Sequence, residues 1–227
     1  MSELSKEEIK QLVCEVNLEA RQKFMKGFSN EVDRFIDECY KIWISYEELS
    51  SMIGDNERKA YVVKYVMTAI DNLMISVNLL ISSYFTASGN MFRQMLEAIL
   101  MAVILAHQEL DKNYYNEYIS QGTNFKVNKV FNIIELNHAK INFNKDDWSK
   151  CKNLLNHFHK YSHPSMLSLS STHHMSKKGF LIIGSEYDEG KKGAYKKELE
   201  LRISACKFVG NLMIYIKELM TQIQADE

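Results

Sequence analysis

Apolar residues recur every three to four positions along most of this chain, which is the period of an α-helix with one buried face. The first such segment begins at a capping box, in which Ser5 is followed three residues later by Glu8. The second segment begins near Asn30 and ends before Gly54. The pattern therefore predicts two amphipathic helices in residues 1–54, and we expect them to form an N-terminal helical hairpin.

Two more apolar segments follow, and they predict the centre of the structure. Helical spacing runs from about residue 56 to residue 85, and the pair Ser88-Gly89 is expected to break it. The next segment, residues 90–107, is apolar on nearly every side after Glu97. A helix that is apolar all round must be surrounded by other helices, so we expect this one in the middle of a bundle.

The second half of the chain predicts shorter helices and one long terminal helix. The shorter helices are expected over residues 111–120, 124–139 and 145–161. Pro164 ends this run, because the residue before a proline is disfavoured in the α region. The terminal helix is expected over residues 195–223, where apolar residues again follow a helical period.

Residues 168–187 have a different pattern, with two β-prone pieces on either side of a Lys-Gly turn. We therefore expect a small β-hairpin there. The predicted fold class is all-α, a multi-helix bundle with long central helices and a β-hairpin near residues 168–187. The whole chain, residues 1–227, is expected to form one helical domain, with residues 56–227 as the bundle that follows the N-terminal hairpin.

Composition, charge and the absence of familiar motifs limit the classes of function that we expect for this chain. Apolar residues make up 46% of the chain and charged residues 25%, as in ordinary globular proteins. The formal net charge of −1 shows no excess of Lys and Arg, so nucleic acid is possible as a partner but unsupported by charge. No phosphate-binding loop, GxSxG elbow or HExxH helix is found, which makes an enzyme of a familiar class unexpected.

The sequence also bears on location. The first five residues do not begin a basic and then apolar leader, so we expect no signal peptide and a cytoplasmic location. The uncharged apolar stretch of residues 98–106 is too short to cross a bilayer, which needs about 20 residues. Membrane contact is therefore not expected. The four cysteines are far apart and should be free thiols: Cys14, Cys39, Cys151 and Cys206.

Arg93 and Glu97 stand out because they lie four residues apart on the most apolar helix and would face the same side. Taking a charged pair out of water costs several kcal/mol unless both groups are hydrogen-bonded. We therefore expect both side chains to be at least partly buried, each with a polar partner. Two roles stay open for them: they order the bundle, or they line a functional cleft.

A second polar cluster lies in residues 153–166, and it contains five side chains of interest: Asn156, His157, His159, Tyr161 and His163. On a helix, His157 and His159 are about 200° apart and cannot face one ion. His159 falls on the apolar side, so we expect it in the core or a cleft and expect His157 in solvent. His159 and His163 have the i, i+4 spacing of zinc helices, but Pro164 would take His163 off the helix.

No cysteine or carboxylate is close enough in sequence to complete a metal site with these histidines. The sequence therefore predicts no metal and no cofactor. The candidates for a catalytic role remain unassigned, and they are Arg93, Glu97, Asn156, His159 and His163.

The order of these features resembles the bacterial helical families of unknown function that are related to HEPN domains. In those families an Arg and a Glu four residues apart open the central helix, as Arg93 and Glu97 do here. An Asn followed by His-x-Ser closes a later helix, which matches Asn156 and His163-Pro164-Ser165. The resemblance covers roughly residues 60–220.

This resemblance implies a helical dimer, and for catalytic members a metal-independent ribonuclease in which four to six variable residues separate an Arg from the His. Counted back from His163, that Arg would fall at Phe158, His157 or Asn156. None of these is Arg, so the cation that would stabilise the developing phosphorane charge is missing. The resemblance therefore implies a degenerate member that binds rather than cleaves.

Our first functional hypothesis is a non-catalytic helical interaction or scaffold protein, homodimeric and, by analogy, linked to bacterial stress or mobile-element defence. Residues 203–216 of the terminal helix are the expected dimer contact, because two apolar stripes run along them. The alternative for these stripes is coverage within the monomer by the helix of residues 90–107. Two other functions stay open: a HEPN-related nucleic-acid-acting protein that uses Arg93, His159 and His163, and a metal or small-molecule pocket around the two histidines.

Overall fold

A computed structural model describes residues 5–111, 114–121, 128–138, 140–141, 145–163 and 165–223. The predicted all-α helical bundle is confirmed. In chain order the helices are α1 (Lys6–Cys14), α2 (Leu18–Ser50), α3 (Glu57–Ile81), α4 (Phe85–Ala106), α5 (Gln108–Asp111), α6 (Tyr114–Gln121), α7 (Asn128–Asn137), α8 (Lys145–His159), α9 (Met166–Thr172) and α10 (Lys192–Gln222).

Helix α4 lies at the centre of the bundle, as its apolar composition predicts. It packs along α3 and also contacts α7, α8, α9 and α10. Every residue from Ala98 to Ala106 is buried. Helix α10 packs along α2 and against α4, and α2 also contacts α3. The core therefore lies among the four long helices α2, α3, α4 and α10.

Helices α3 and α4 are also long and apolar enough to cross a membrane, judged by length and composition alone. In their most apolar stretches, 50% and 72% of the residues are buried inside the bundle. The two helices thus serve as the core hairpin of the described structure. The expected cytoplasmic location stays a prediction.

The predicted N-terminal hairpin of residues 1–54 is wrong. Helix α1 ends at Cys14, and α2 then continues for 33 residues across the expected break near Asn30. Its backbone is non-helical at Phe28 (φ −140°, ψ 22°), so the helix bends there without turning back. The reason is packing, since Phe24, Phe28 and Val32 are all buried and form one continuous apolar stripe.

The predicted break at Ser88-Gly89 is also misplaced. Helix α3 ends at Ile81, and the turn contains Ser83 with φ at 61°. Ser88 and Gly89 lie inside α4, where their small size allows close contacts. The Ser88 hydroxyl donates a hydrogen bond to the carbonyl of Ser76 on α3 (2.6 Å), so this pair of small residues joins two helices.

The predicted β-hairpin near residues 168–187 is not formed. Residues Met166–Thr172 are helical, and a single antiparallel bridge, His173 to Leu181, is the β-pairing in this described segment. The cause is the buried carboxylate of Asp188. It accepts the backbone N–H groups of residues 175 and 176 at 2.5 and 3.2 Å, so these two donors of the predicted hairpin do not reach a strand ladder.

The remaining boundaries shift by a few residues. Where one helix was expected over residues 111–120, α5 and α6 are found. Helix α8 ends at His159, and α10 begins at Lys192, earlier than predicted. The predicted stop at Pro164 and the predicted helix start at residues 124–127 lie outside the described residues.

Candidate functional site

Helix α10 carries a buried ion pair that the sequence analysis missed. Arg202 is 0% exposed and Glu198 is 5% exposed. The Arg202 Nη1 donates to Glu198 Oε2 at 2.6 Å. Its Nε and Nη2 donate to the hydroxyls of Ser76 and Ser88, at 3.2 and 2.7 Å. The guanidinium is therefore held by groups on α3, α4 and α10 together.

Two aromatic rings enclose the same guanidinium. The Arg202 Cζ lies 5.0 Å from the ring centre of Phe92 on α4 and 5.8 Å from that of Phe158 on α8. A cation over an aromatic face is attracted by the negative charge density of the ring, more strongly when water is excluded. Arg202 thus ties the end of α8 to α4 and α10.

Tyr161 fixes the segment that follows α8. Its hydroxyl donates to Glu198 Oε1 at 3.2 Å, and its ring packs on the backbone of α4. A Cβ on Gly89 would lie 2.6 Å from the Tyr161 ring, so only a glycine allows this approach. Phe158 and Tyr161 are therefore held against α4 by buried contacts.

Burial and the charge of the partner have opposite effects on the pKa values of Arg202 and Glu198. Burial lowers the pKa of Arg202, and the nearby Glu198 carboxylate opposes that change. Burial by itself raises the pKa of Glu198, but the nearby His157, the charge of Arg202 and the hydrogen bonds from Arg202 and Tyr161 outweigh it, so the pKa is lowered. The lowered pKa keeps the Glu198 carboxylate ionised at neutral pH, and an arginine guanidinium stays protonated in proteins.

The predicted pair of Arg93 and Glu97 lies next to the buried network of Arg202, Glu198 and Tyr161. The Arg93 Nε donates to Glu97 Oε1 at 2.7 Å, and the two side chains are 23% and 13% exposed. The Arg93 Nη1 also donates to the Ser162 hydroxyl (2.9 Å), which donates to Asn90 Oδ1 (2.7 Å). The prediction that both charges are partly buried and have polar partners is confirmed.

His159 and His163 meet beside Arg93. Their rings are 4.4 Å apart between centres, and both residues are exposed. Partial desolvation, the charge of Arg93 and the proximity of His163 lower the pKa of His159. We call the group of Arg93, Glu97, Ser162, His159 and His163 the polar cluster. Among the described residues, no hydrogen bond joins the exposed Asn156 to it.

The expected environments of His157 and His159 are reversed in the structure. His157 is half-buried, and its Nε2 lies 3.8 Å from Glu198 Oε1, while His159 is exposed. The reason is that α10 covers the flank of α8 that carries His157. Helix periodicity gave the apolar side of α8 but not which flank a neighbouring helix covers.

The polar cluster offers two imidazoles and one carboxylate that is already paired with Arg93. Within the described ranges, no group of three or more His, Cys, Asp or Glu side chains is arranged to hold a metal ion. The groups that it presents are instead two imidazole rings and the Arg93 guanidinium, a group that forms strong hydrogen bonds with anions.

A groove lies on the side of α8 that faces away from the polar cluster. It runs between α8 and α10, and α4 forms its floor. Its volume is about 560 Å³. The groove, which we call the α8–α10 groove, is lined by Leu96, Ile141, Lys150, Cys151, Leu154, Leu201, Ser204, Ala205, Phe208, Asn211, Leu212 and Tyr215. Burial raises the pKa of the Cys151 thiol to about 12, so that thiol packs as an apolar residue and is not reactive at neutral pH.

The groove contains part of the predicted dimer contact. One of the two apolar stripes of α10 is covered within the monomer: Leu199, Ile203, Cys206 and Met213 are at most 3% exposed. Gly210 also faces the monomer, since a Cβ there would lie 3.5 Å from Ile42 of α2. In the other stripe Ala205, Leu212 and Leu219 are also buried, at 4%, 7% and 8% exposure, whereas Leu201, Phe208 and Tyr215 are half-buried along the groove wall.

Sequence position alone could have indicated the buried Arg202. It follows Leu199 by three residues and precedes Cys206 by four, which puts it on the apolar face of its helix. Glu198, one turn earlier, is the matching partner. The serines and rings that surround the pair come from distant helices, and no local pattern gives them.

The chain was compared with family models, curated proteins and solved structures, and none of them matches it. The resemblance to HEPN-related families therefore stays a prediction from sequence motifs.

Proposed function

We propose that this chain is a non-catalytic helical interaction protein that forms a homodimer through the α8–α10 groove. The groove itself carries the proposal. Its α10 wall presents Leu201, Phe208 and Tyr215 at seven-residue intervals, all half-buried. A repeat of seven residues is the spacing at which one helix face meets another helix along its length.

The size of these side chains makes the groove a source of binding energy. Full burial of a Phe or Tyr removes about 150–250 Å² from water, and the dimer would bury the part of that area which the monomer leaves exposed, at roughly 25 cal/mol for each Å² of apolar surface. Tyr215 and Asn211 add polar groups at the edge, as the rims of protein interfaces do. In a two-fold dimer the same patch is used twice, which doubles the contribution.

A link to bacterial stress or mobile-element defence belongs to the same proposal. It rests on the HEPN-like order of Arg93, Glu97, Asn156 and His163 and on no contact within the chain. The proposed interface in the α8–α10 groove does not depend on this resemblance.

Light scattering on groove variants tests the interface. Ser204 is exposed on the groove wall, so Ser204→Glu places a charge in the groove without disturbing the core. Phe208→Glu makes the same change at a half-buried position. We expect both variants to be monomeric at concentrations where the unmodified chain is a dimer, with unchanged circular dichroism.

The matched control is Ile36→Glu on α2, where the side chain is 56% exposed outside the groove. We expect this variant to remain dimeric. A dimer that survives Ser204→Glu and Phe208→Glu but is lost in Ile36→Glu would overturn the groove as the interface.

A second candidate function is action on nucleic acid, and the position of the polar cluster favours it. Arg93, His159 and His163 are far apart in sequence or separated by a helix end, yet they lie together. An arginine beside two exposed imidazoles supplies a phosphate contact and a proton acceptor or donor.

Binding and cleavage of a labelled single-stranded RNA test this candidate. If the cluster acts on RNA, Arg93→Gln, His159→Ala and His163→Ala lose binding or cleavage. Arg34→Gln, which removes an exposed arginine that pairs with Glu200, leaves it unchanged. Equal behaviour of all four variants and the unmodified chain would remove the candidate.

A further inference from the structure

We infer that residues 175–183, which we call the apolar loop, bind the surface of a membrane that contains anionic lipids. The inference does not depend on the proposed dimer, because it rests on a different surface of the molecule. The sequence analysis expected no membrane contact because the apolar stretch of residues 98–106 is too short to cross a bilayer. A loop that enters only the boundary between headgroups and acyl chains needs no spanning segment.

The apolar loop exposes four large apolar side chains within nine residues. They are Met175, Phe180, Leu181 and Ile183, and each is between 59% and 63% exposed. Single exposed apolar residues are ordinary on a protein surface, but a group of them together marks a site of interaction with a protein or a membrane.

The extended part of the loop stands away from the helical bundle. Neighbouring side chains of an extended segment point to opposite sides. Phe180 and Leu181 are neighbours and both are exposed, so the bundle covers neither side of this segment. At the turn, Gly179 has φ at 84°, and nothing lies within 4 Å of the position of a Cβ there. A flat protein partner would cover one side only, whereas lipid surrounds a protruding loop on both sides.

Basic residues accompany these apolar side chains. Residues 160–185 contain three lysines and no Asp or Glu, and two of the lysines, Lys177 and Lys178, lie in the turn. Glu186 lies 3.5 Å from the Lys177 Nζ and partly neutralises it. Lys178 is exposed and forms no ion pair within the described part of the chain. Lysine beside exposed aromatic and aliphatic side chains matches anionic headgroups above an apolar interior.

The backbone pairing of the loop limits how deeply it inserts. On one edge, the N–H of Ile182 donates to the carbonyl of Thr172 (2.6 Å), and the N–H of His174 donates to that of Phe180 (2.9 Å). On the opposite edge, the N–H and carbonyl of Leu181 have no hydrogen-bond partner among the described residues. Unpaired backbone groups are costly in hydrocarbon, where no water can reach them. The loop therefore enters only the hydrated boundary, with its lysines among the headgroups.

Co-sedimentation with lipid vesicles tests the inference. The probes are vesicles of phosphatidylcholine with and without phosphatidylglycerol, which is anionic. We expect the unmodified chain to bind the vesicles that contain phosphatidylglycerol, and to bind them more weakly at high salt, which screens the lysines. Phe180→Ser should weaken this binding at least tenfold, because it removes the largest inserted side chain. Tyr40→Ser on α2, where the aromatic side chain is 64% exposed, is the matched control and should bind normally.

A second pair of variants tests the contribution of charge. Lys178→Gln should weaken binding to the anionic vesicles about fivefold, the effect of one lysine near a negatively charged membrane surface. Lys207→Gln, which removes an exposed lysine on α10, should have no effect. No binding to the anionic vesicles, or equal binding by all four variants and the unmodified chain, would overturn the inference.

Tryptophan fluorescence gives a second readout that locates the contact. In Phe180→Trp, the added emission should shift to shorter wavelength when vesicles with phosphatidylglycerol are present, and in Tyr40→Trp it should not. A shift in Tyr40→Trp alone would show that another surface meets the lipid and would contradict the inference. If no vesicles bind and Phe180→Ser lowers the mass in sedimentation, the loop is a contact between copies of the chain, and the inference is wrong.

Discussion

Arg202 and Glu198 form an ion pair one turn apart on α10, with 2.6 Å between Nη1 and Oε2, in the interior of the bundle. Groups on α3, on α4 and in the segment after α8 surround it. The Ser76 and Ser88 hydroxyls accept hydrogen bonds from the guanidinium, and the Tyr161 hydroxyl donates to the carboxylate. The pair therefore determines how α3, α4, α10 and the end of α8 fit together.

We predict that Arg202→Ala lowers the free energy of unfolding by about 3–5 kcal/mol, because it leaves the Glu198 charge buried without its counter-ion. Urea denaturation measures this change. The double variant Glu198→Leu with Arg202→Met should be far closer to the unmodified chain, since no buried charge remains. Arg34→Ala, which breaks an exposed pair with Glu200, should change stability by about 1 kcal/mol or less.

A smaller effect of Arg202→Ala than of Arg34→Ala would contradict the role of the buried pair. A double variant as unstable as Arg202→Ala would show that the serine hydroxyls, and not the charges, determine the stability of this region.

Gly89→Ala should lower the free energy of unfolding by about 1–3 kcal/mol through overpacking. The new methyl group would meet the Tyr161 ring at 2.6 Å, and the ring is fixed by its hydrogen bond to Glu198. Gly193→Ala is the matched control, because nothing lies within 4 Å of a Cβ at that helical position. That variant should be neutral or slightly more stable, by up to about 1 kcal/mol.

Thermal unfolding of the two glycine variants checks this prediction. A lower midpoint for Gly193→Ala than for Gly89→Ala would mean that the contact between Tyr161 and α4 is loose.

Acid should destabilise the protein through two buried carboxylates. Burial by itself raises the pKa of Asp188, but hydrogen bonds from Ser176 and from the backbone at Met175 and Gly190 outweigh it, and the pKa is lowered. The pKa of Glu198 is lowered as well. A lowered folded-state pKa stabilises the fold at pH values above the ordinary ones of 3.8 and 4.5, and this contribution is lost as the pH falls below them.

Urea denaturation at pH 7, 5 and 3 measures this loss. Asp188→Asn and Glu198→Gln should each be less stable than the unmodified chain at pH 7 and should lose less stability on going to pH 3. A pH dependence that is the same in all three proteins would contradict the assignment.

The pKa of His159 in the polar cluster can be measured directly by NMR titration. Partial desolvation, Arg93 and His163 lower the pKa of His159 from its ordinary value of 6.5. Arg93→Gln removes one of these causes, so the pKa of His159 should rise in that variant. Arg34→Gln should leave it unchanged, and a rise of equal size in both variants would mean that Arg93 is not close to His159.

The sequence predicts the apolar centre of the bundle well, whereas it divides α2, a single helix of 33 residues, into two helices. The central position of α4 follows from its composition, because residues 98–106 carry no charge and could only be buried. The partly buried pair of Arg93 and Glu97 follows from the same reasoning. Both inferences use local information, and both hold.

The errors occur where a distant group decides the local structure. From the sequence Gly89 is predicted to break a helix. In the structure it is needed inside α4, because Tyr161 packs on it. The segment after residue 172 reads as strand, yet the Asp188 carboxylate takes its backbone donors. Which flank of α8 is covered likewise depends on Glu198 of α10, and this explains the reversal of His157 and His159.

The association state of the unmodified chain tests the central claim, which is that the α8–α10 groove is a self-association surface. Sedimentation equilibrium at micromolar concentration gives the mass in solution without reference to shape. We predict a mass of twice the 26.5 kDa of one chain, falling to a single chain on dilution or in Ser204→Glu. A mass of 26.5 kDa at every concentration would contradict it.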